Sequence, residues 1–151
     1  MKKLIALSTL AVLFTGCASV PLASQQSLST AKEFKQPAAD SSGLYVYRNS
    51  IMGAALKKDI KINGECLGES APNTFFYKLV PGNQEYTIST ESEFSPNDLK
   101  LYVKGGENYF IKQYIKPGLF VGGANLKVVE SSEGQQAVEK LKLAENGKCS
   151  K

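Results

Sequence analysis

The sequence predicts a mainly β fold: a seven- to eight-stranded antiparallel β-sandwich with one short C-terminal helix. Three observations carry that expectation. From residue 43 onward, β-branched and aromatic runs recur at roughly 10-residue spacing, as the strands of a sandwich do. Turn pairs separate several of them: Asn63-Gly64, Pro81-Gly82, Gly105-Gly106 and Pro117-Gly118. One stretch near the C-terminus replaces the two-residue period by a helical one.

Leu44-Tyr45-Val46-Tyr47-Arg48 opens the series with residues that fit a pleated sheet. Asp59-Ile60-Lys61-Ile62 alternates and runs into Asn63-Gly64, a turn whose two positions both need positive φ. Residues 65–68 return as its partner. Residues 74–80 form the next strand, stopped by Pro81-Gly82. Tyr86-Thr87-Ile88-Ser89 and Leu99-Lys100-Leu101-Tyr102-Val103 follow, with Tyr86, Ile88, Leu99, Leu101 and Val103 on the inward phase. Residues 108–116 and 124–130 close the series. Val138 and Leu141, three apart with Ala137 beside them and a serine cap ahead, predict a helix over 133–141. Its expected place is over an open end or edge of the sandwich, where it would block strand-on-strand aggregation.

Two segments of another kind precede the strands. Residues 1–16 read as a lipoprotein signal peptide: Lys2-Lys3, then an apolar run over 4–14. That run is short of the roughly 20 residues that cross a bilayer. Phe14-Thr15-Gly16-Cys17 resembles the bacterial lipobox, with Phe14 where leucine is usual. The resemblance implies cleavage before Cys17 and acylation of its thiol and new amine. A secretory signal with a chance cysteine is the plainer alternative. A single acyl chain binds a membrane reversibly, at about 0.8 kcal/mol per CH₂, so three chains anchor durably. Ala18-Ser19 stand where aspartate would mark inner-membrane retention, which implies the periplasmic face of the outer membrane. Residues 17–42 then read as the lipidated cysteine and a mostly flexible tether, rich in Ser, Ala and Gln, with Phe34 its candidate for docking. The β-domain occupies 43–151.

At 151 residues the chain fits one domain. It has no histidine, which excludes Ser-His-Asp and Cys-His catalysis and His-ligated metal sites. The formal charge of +4 comes from 18 basic and 14 acidic residues, and Arg48 is the single arginine. Without Lys2 and Lys3 the balance is 16 against 14, or +2, so nothing favours nucleic acid. The expectation is a protein that is not an enzyme and carries no cofactor and no metal.

The order of motifs resembles a domain of unknown function found in many proteobacterial lipoproteins. The matching stretches are Ala31-Lys32 with Phe34, Tyr45-Val46-Tyr47-Arg48, Gly53, Leu56, Ile62-Asn63-Gly64 and Leu67-Gly68. Further on come Tyr77, Leu79, Pro81-Gly82, Ser95-Pro96, Gly106, Asn108-Tyr109-Phe110 and Phe120-Val121-Gly122. Residues 60–88 are also similar to the PEGA module, a transthyretin-like sandwich. Neither resemblance brings a catalytic residue.

Candidate sites are few. Cys66 and Cys149 read as a disulfide in an oxidising compartment, with two free thiols or a redox or metal role as alternatives. A contact patch for a partner or lipid is expected from Met52, Gly53, Phe120, Gly122 and Gly123, with Lys57 and Lys58 as a basic flank joined by Lys61. The bland readings are a tight inter-strand loop and a solvated, lysine-protected edge. The glycine-rich run 118–124 lacks the Gly-Lys-Ser/Thr ending of a phosphate loop. Glu91, Glu93 and Asp98 read as a solvated loop; Ca²⁺ binding or a paired-carboxylate hydrolase are the remoter alternatives. The sum is a membrane-anchored, non-enzymatic module binding an envelope protein, peptidoglycan or lipopolysaccharide. The alternative is a structural accessory subunit of an envelope complex.

Overall fold

The computed structural model describes residues 16–150, so residues 1–15 of the expected signal peptide lie outside the described part. The elements in chain order are α1 (Gln25–Ala31), β1 (Ser41–Arg48), β2 (Lys58–Ile62), β3 (Glu65–Ser70), β4 (Thr74–Pro81) and β5 (Gln84–Thr90). They continue as β6 (Asn97–Val103), β7 (Asn108–Lys116), β8 (Gly123–Val129), α2 (Ser131–Val138) and β9 (Lys142–Leu143). The mainly β sandwich forms as expected, from a sheet ordered β8-β7-β1-β4-β9 and a sheet ordered β3-β2-β5-β6. Two pairings depart from the antiparallel rule: β1 with β7, and β4 with β9. The Asn63-Gly64 turn joins β2 to β3 with φ of 50° and 82°, as its two-residue loop requires.

Between the sheets, Leu44, Val46, Phe76, Ile111 and Leu126 meet Ile60, Ile62, Leu67, Ile88 and Val103. The five-stranded sheet also buries its other face. Tyr45, Tyr47, Phe75 and Phe110 point away from the first core and are covered by Ala31, Val138, Leu141 and Phe34. That is why β1 reads as a continuous apolar run rather than an alternating one. Each fully buried side chain of this size contributes about 1.5–3 kcal/mol. The Phe34 ring lies 5.5 Å from Tyr45 and 5.9 Å from Phe110, and the Tyr45 hydroxyl donates to the Ala31 carbonyl at 2.8 Å.

Three expectations are corrected. Residues 17–42 are not a flexible tether: Ser24 caps α1 through the Ser27 N–H at 3.1 Å, and the segment is laid over the aromatic face. Its composition is polar, but the sheet supplies the apolar partner that the segment itself lacks. The C-terminal helix does not shield an end or edge. It lies on the sheet face, where a Cβ on Gly134 would stand 2.2 Å from the Phe110 ring. Nor does a serine cap it, since Ser131 and Ser132 sit in its first turn and the N-cap, Glu130, makes no side-chain bond.

The C-terminal tail covers the edge instead. The Gly147 N–H donates to Leu67 O at 2.8 Å and the Glu69 N–H to Lys148 O at 2.7 Å, along β3. Cys66 and Cys149 are joined by a disulfide beside these bonds, with Cα atoms 6.0 Å apart. The edge at β9 is covered by residues 21–23, through Ala23 N–H to Leu143 O and Glu145 N–H to Pro21 O. A buried polar chain crosses the sandwich: Ser70 Oγ donates to Gln113 Oε1, Gln113 Nε2 to Thr90 Oγ1, and Thr90 Oγ1 to Asp59 O. Every polar group in that chain gains a partner, which removes the cost of burying it.

Candidate functional site

The strand register brings four loops to one end of the sandwich: 49–57, 71–73, 91–96 and 117–122. The expected contact patch lies here. Met52 and Gly53 sit in the first loop, Lys57 ends it and Lys58 opens β2; Phe120 and Gly122 sit in the last loop and Gly123 opens β8. The two loops share an apolar filling. A Cβ on Gly53 would stand 3.1 Å from both Leu56 and Ile115, and one on Gly122 would stand 2.7 Å from Leu56. Both glycines let the loops close over Leu56.

The loop tips are more apolar than the expected patch. Phe120 is 82% exposed and Met52 57%, and they are joined by Ile51 (76%), Leu119 (75%), Val121 (54%) and Phe94 (79%). Single exposed apolar residues are common, but these six gather on neighbouring loops at one end. The hydrophobic triplet Leu119-Phe120-Val121, flanked by glycines, was the signal that could have extended the patch beyond Phe120.

The basic flank is weaker than its sequence suggests. The Lys57 ammonium is 2.7 Å from the Glu69 carboxylate, which neutralises it. Lys61 lies farther along β2, beside a groove that Asp59, Glu91 and Asp98 also line. These carboxylates are partly engaged within the fold. Glu91 accepts the Asp59 N–H at 3.0 Å, and buried Asp59 accepts the Ser150 hydroxyl at 2.6 Å. Among the described residues, no group of three or more acidic or cysteine side chains is arranged to hold a metal ion.

Two charged residues hold the loops in shape: Arg48, which the sequence reading did not name as a site residue, and Glu93, which it places in a solvated loop but which is engaged with the backbone. Arg48, fully buried at the end of β1, donates to the carbonyls of Leu56 (2.7 Å), Met52 (3.0 Å) and Gly53 (2.7 Å). Burial lowers its pKa, but an arginine starts so high that it stays charged. Glu93 accepts three consecutive backbone N–H groups, from Leu119 at 2.6 Å, from Phe120, and from Val121 at 3.1 Å. Desolvation pushes the Glu93 carboxyl up, and these three bonds outweigh it and hold the pKa below the ordinary range. Loop 91–96 is thereby tied to loop 117–122.

The same end receives the start of the described chain. The Ala18 N–H donates to Ala54 O at 2.8 Å, inside the loop that carries Ile51 and Met52. Cys17, one residue earlier, is exposed with a free thiol. Among the described residues, no helix is long and apolar enough to cross a membrane.

Residues 38–124 match a family model described as a protein of unknown function (DUF2846). The chain is also 52% identical, over 134 residues, to an uncharacterized protein of Haemophilus influenzae; the similarity covers 89% of this chain and 79% of that relative. No solved structure matches the chain significantly.

Proposed function

Starting from membership of the DUF2846 family, to which this chain belongs, we propose that it is a lipid-anchored protein of the cell envelope. It is held at Cys17 on the periplasmic face of the outer membrane and acts as a non-enzymatic binding module for an envelope protein or polymer. The observation that carries this reading is the cluster of exposed apolar tips on three tied loops, next to Ala18. A rigid scaffold that presents side chains on fixed loops is suited to recognition. The polar side chains beneath those loops are spent on holding the backbone, as Arg48 and Glu93 are.

Site-specific photocrosslinking in cells tests the reading, with the probe at Met52, Lys57 or Phe120. Discrete adducts with an envelope component, whether protein, peptidoglycan, lipopolysaccharide or membrane lipid, are the expected result. Adducts that do not differ from those of a probe at exposed Tyr102, near the opposite end, would remove the binding-module reading. The anchor is tested separately: Cys17→Ser should release the protein from the membrane fraction, and unchanged fractionation sinks the lipoprotein assignment.

A further inference from the structure

The apolar tips and the start of the chain share one end of the sandwich, and that fixes what can cover them. We infer that Ile51, Met52, Phe94, Leu119, Phe120 and Val121 seat in the phospholipid leaflet that holds the acylated Cys17, so that the domain stands on the membrane by this end. The inference rests on the lipid-anchor reading alone and gives the tips to phospholipid in place of an envelope protein or polymer.

Three observations favour a bilayer over a protein as the occupant. The first is reach. With Ala18 bonded to Ala54, and with Ala23, Leu28, Ala31 and Phe34 packed on the sheet, the acylated residue has no tether with which to lift this end from the membrane. The second is the state of the loop backbone. An apolar medium requires polar backbone groups to be satisfied within the protein. The N–H groups of residues 119–121 are taken by Glu93, and the carbonyls of residues 52, 53 and 56 by Arg48. The side chains are left to point outward. The third is asymmetry: the turns at the opposite end carry Asn63-Gly64, Gly82-Asn83 and Gly105-Gly106, with no apolar tip among them. With Lys57 neutralised by Glu69, Lys58 and Lys116 are the cations that flank the tips in sequence, where cations meet lipid headgroups.

The chain has no tryptophan, so one introduced indole reports its own surroundings. The full-length protein, purified from membranes as Phe120→Trp, is reconstituted into phosphatidylethanolamine–phosphatidylglycerol vesicles with brominated acyl chains. Leu119→Trp is the second reporter and Tyr102→Trp the control at the other end. Flotation with the vesicles reports the anchor independently. An apolar face of this kind lies about 5–10 Å into the headgroup–acyl boundary, so about half of the emission at 120 should be quenched and little of that at 102. Flotation without quenching at 119 and 120 overturns the seating and leaves the anchor standing. Equal quenching at 102 and 120 overturns it too, because the domain then has no preferred end. Blue-shifted, unquenched emission at 120 assigns the tips to a protein partner or second copy, against the inference. Failure to float removes the anchor and the seating together.

Discussion

At one end of the sandwich the chain turns on asparagine and glycine; at the other it turns on a buried arginine and a tethered carboxylate. The hairpin end is local chemistry. Asn63 and Gly64 adopt positive φ, Asn63 Oδ1 accepts the Thr87 N–H at 2.9 Å, and Asn83 Oδ1 accepts the Gly105 N–H at 3.1 Å. The Cys17 end depends on groups from elsewhere in the chain: Arg48 from the end of β1, and Glu93 reaching across to the loop before β8. A turn needs only to reverse the chain, and residue type encodes that. A loop that holds apolar side chains outward must keep its backbone satisfied while they face out, and that needs support from the fold.

The largest expected effect comes from the one covalent device on the tail. Cys66→Ser with Cys149→Ser opens a loop of 83 residues, and on the chain-entropy model this costs up to about 4.5 kcal/mol. The denaturant midpoint should fall accordingly, and the tail should lose its bonds to Leu67 and Glu69. A variant as stable as the parent would show that noncovalent bonds along β3 hold the tail unaided.

Next is Arg48→Met, which fills a similar volume but orphans three carbonyls. Hydrogen bonds to a charged group contribute about 1.5–3 kcal/mol each and are not additive, so a total loss of about 4 kcal/mol is expected. Amide exchange should accelerate in residues 52–56 and leave residues 63–65 unchanged. Equal acceleration at both ends would erase the contrast between them. At the hairpin end the corresponding break is small: Gly64→Ala, at φ 82°, should cost about 1 kcal/mol. Its effect should stay within β2 and β3.

What the sequence made legible divides along the same line. Asn63-Gly64, Pro81-Gly82 and the alternation of Tyr86 and Ile88 are signals within a few residues, and the strands around them form where expected. Residues 17–42 read as flexible because a polar segment's own composition says nothing of the surface that awaits it. The clue lay in β1, where Tyr45 and Tyr47 point one way while Leu44 and Val46 point the other; all four are buried, so both faces needed cover. Met52 and Phe120 were legible as apolar loop residues. Arg48 was not, because its partners are backbone carbonyls, which no residue type encodes. A single arginine ending an otherwise apolar strand was the available hint.

The smallest effect tests the contrast most directly, because only one end is built on a titrating group. Glu93 has its pKa held below the ordinary glutamate value, so its bonds to residues 119–121 contribute fully above that ordinary value. They are lost as pH falls through the lower, folded-state pKa. The Asn63 and Asn83 amides, which do the matching work at the hairpin end, do not titrate. Protection factors at Leu119, Phe120 and Val121, taken relative to the chemical exchange rate at each pH, should therefore fall on acidification, while those at Thr87 and Gly105 stay flat. In Glu93→Gln the protection at 119–121 should be weaker and independent of pH, since a neutral amide offers one acceptor oxygen in place of two charged ones. Parallel pH profiles at the two ends would mean that acid acts on the sandwich as a whole, and that Glu93 is a bystander to the shape of its loop.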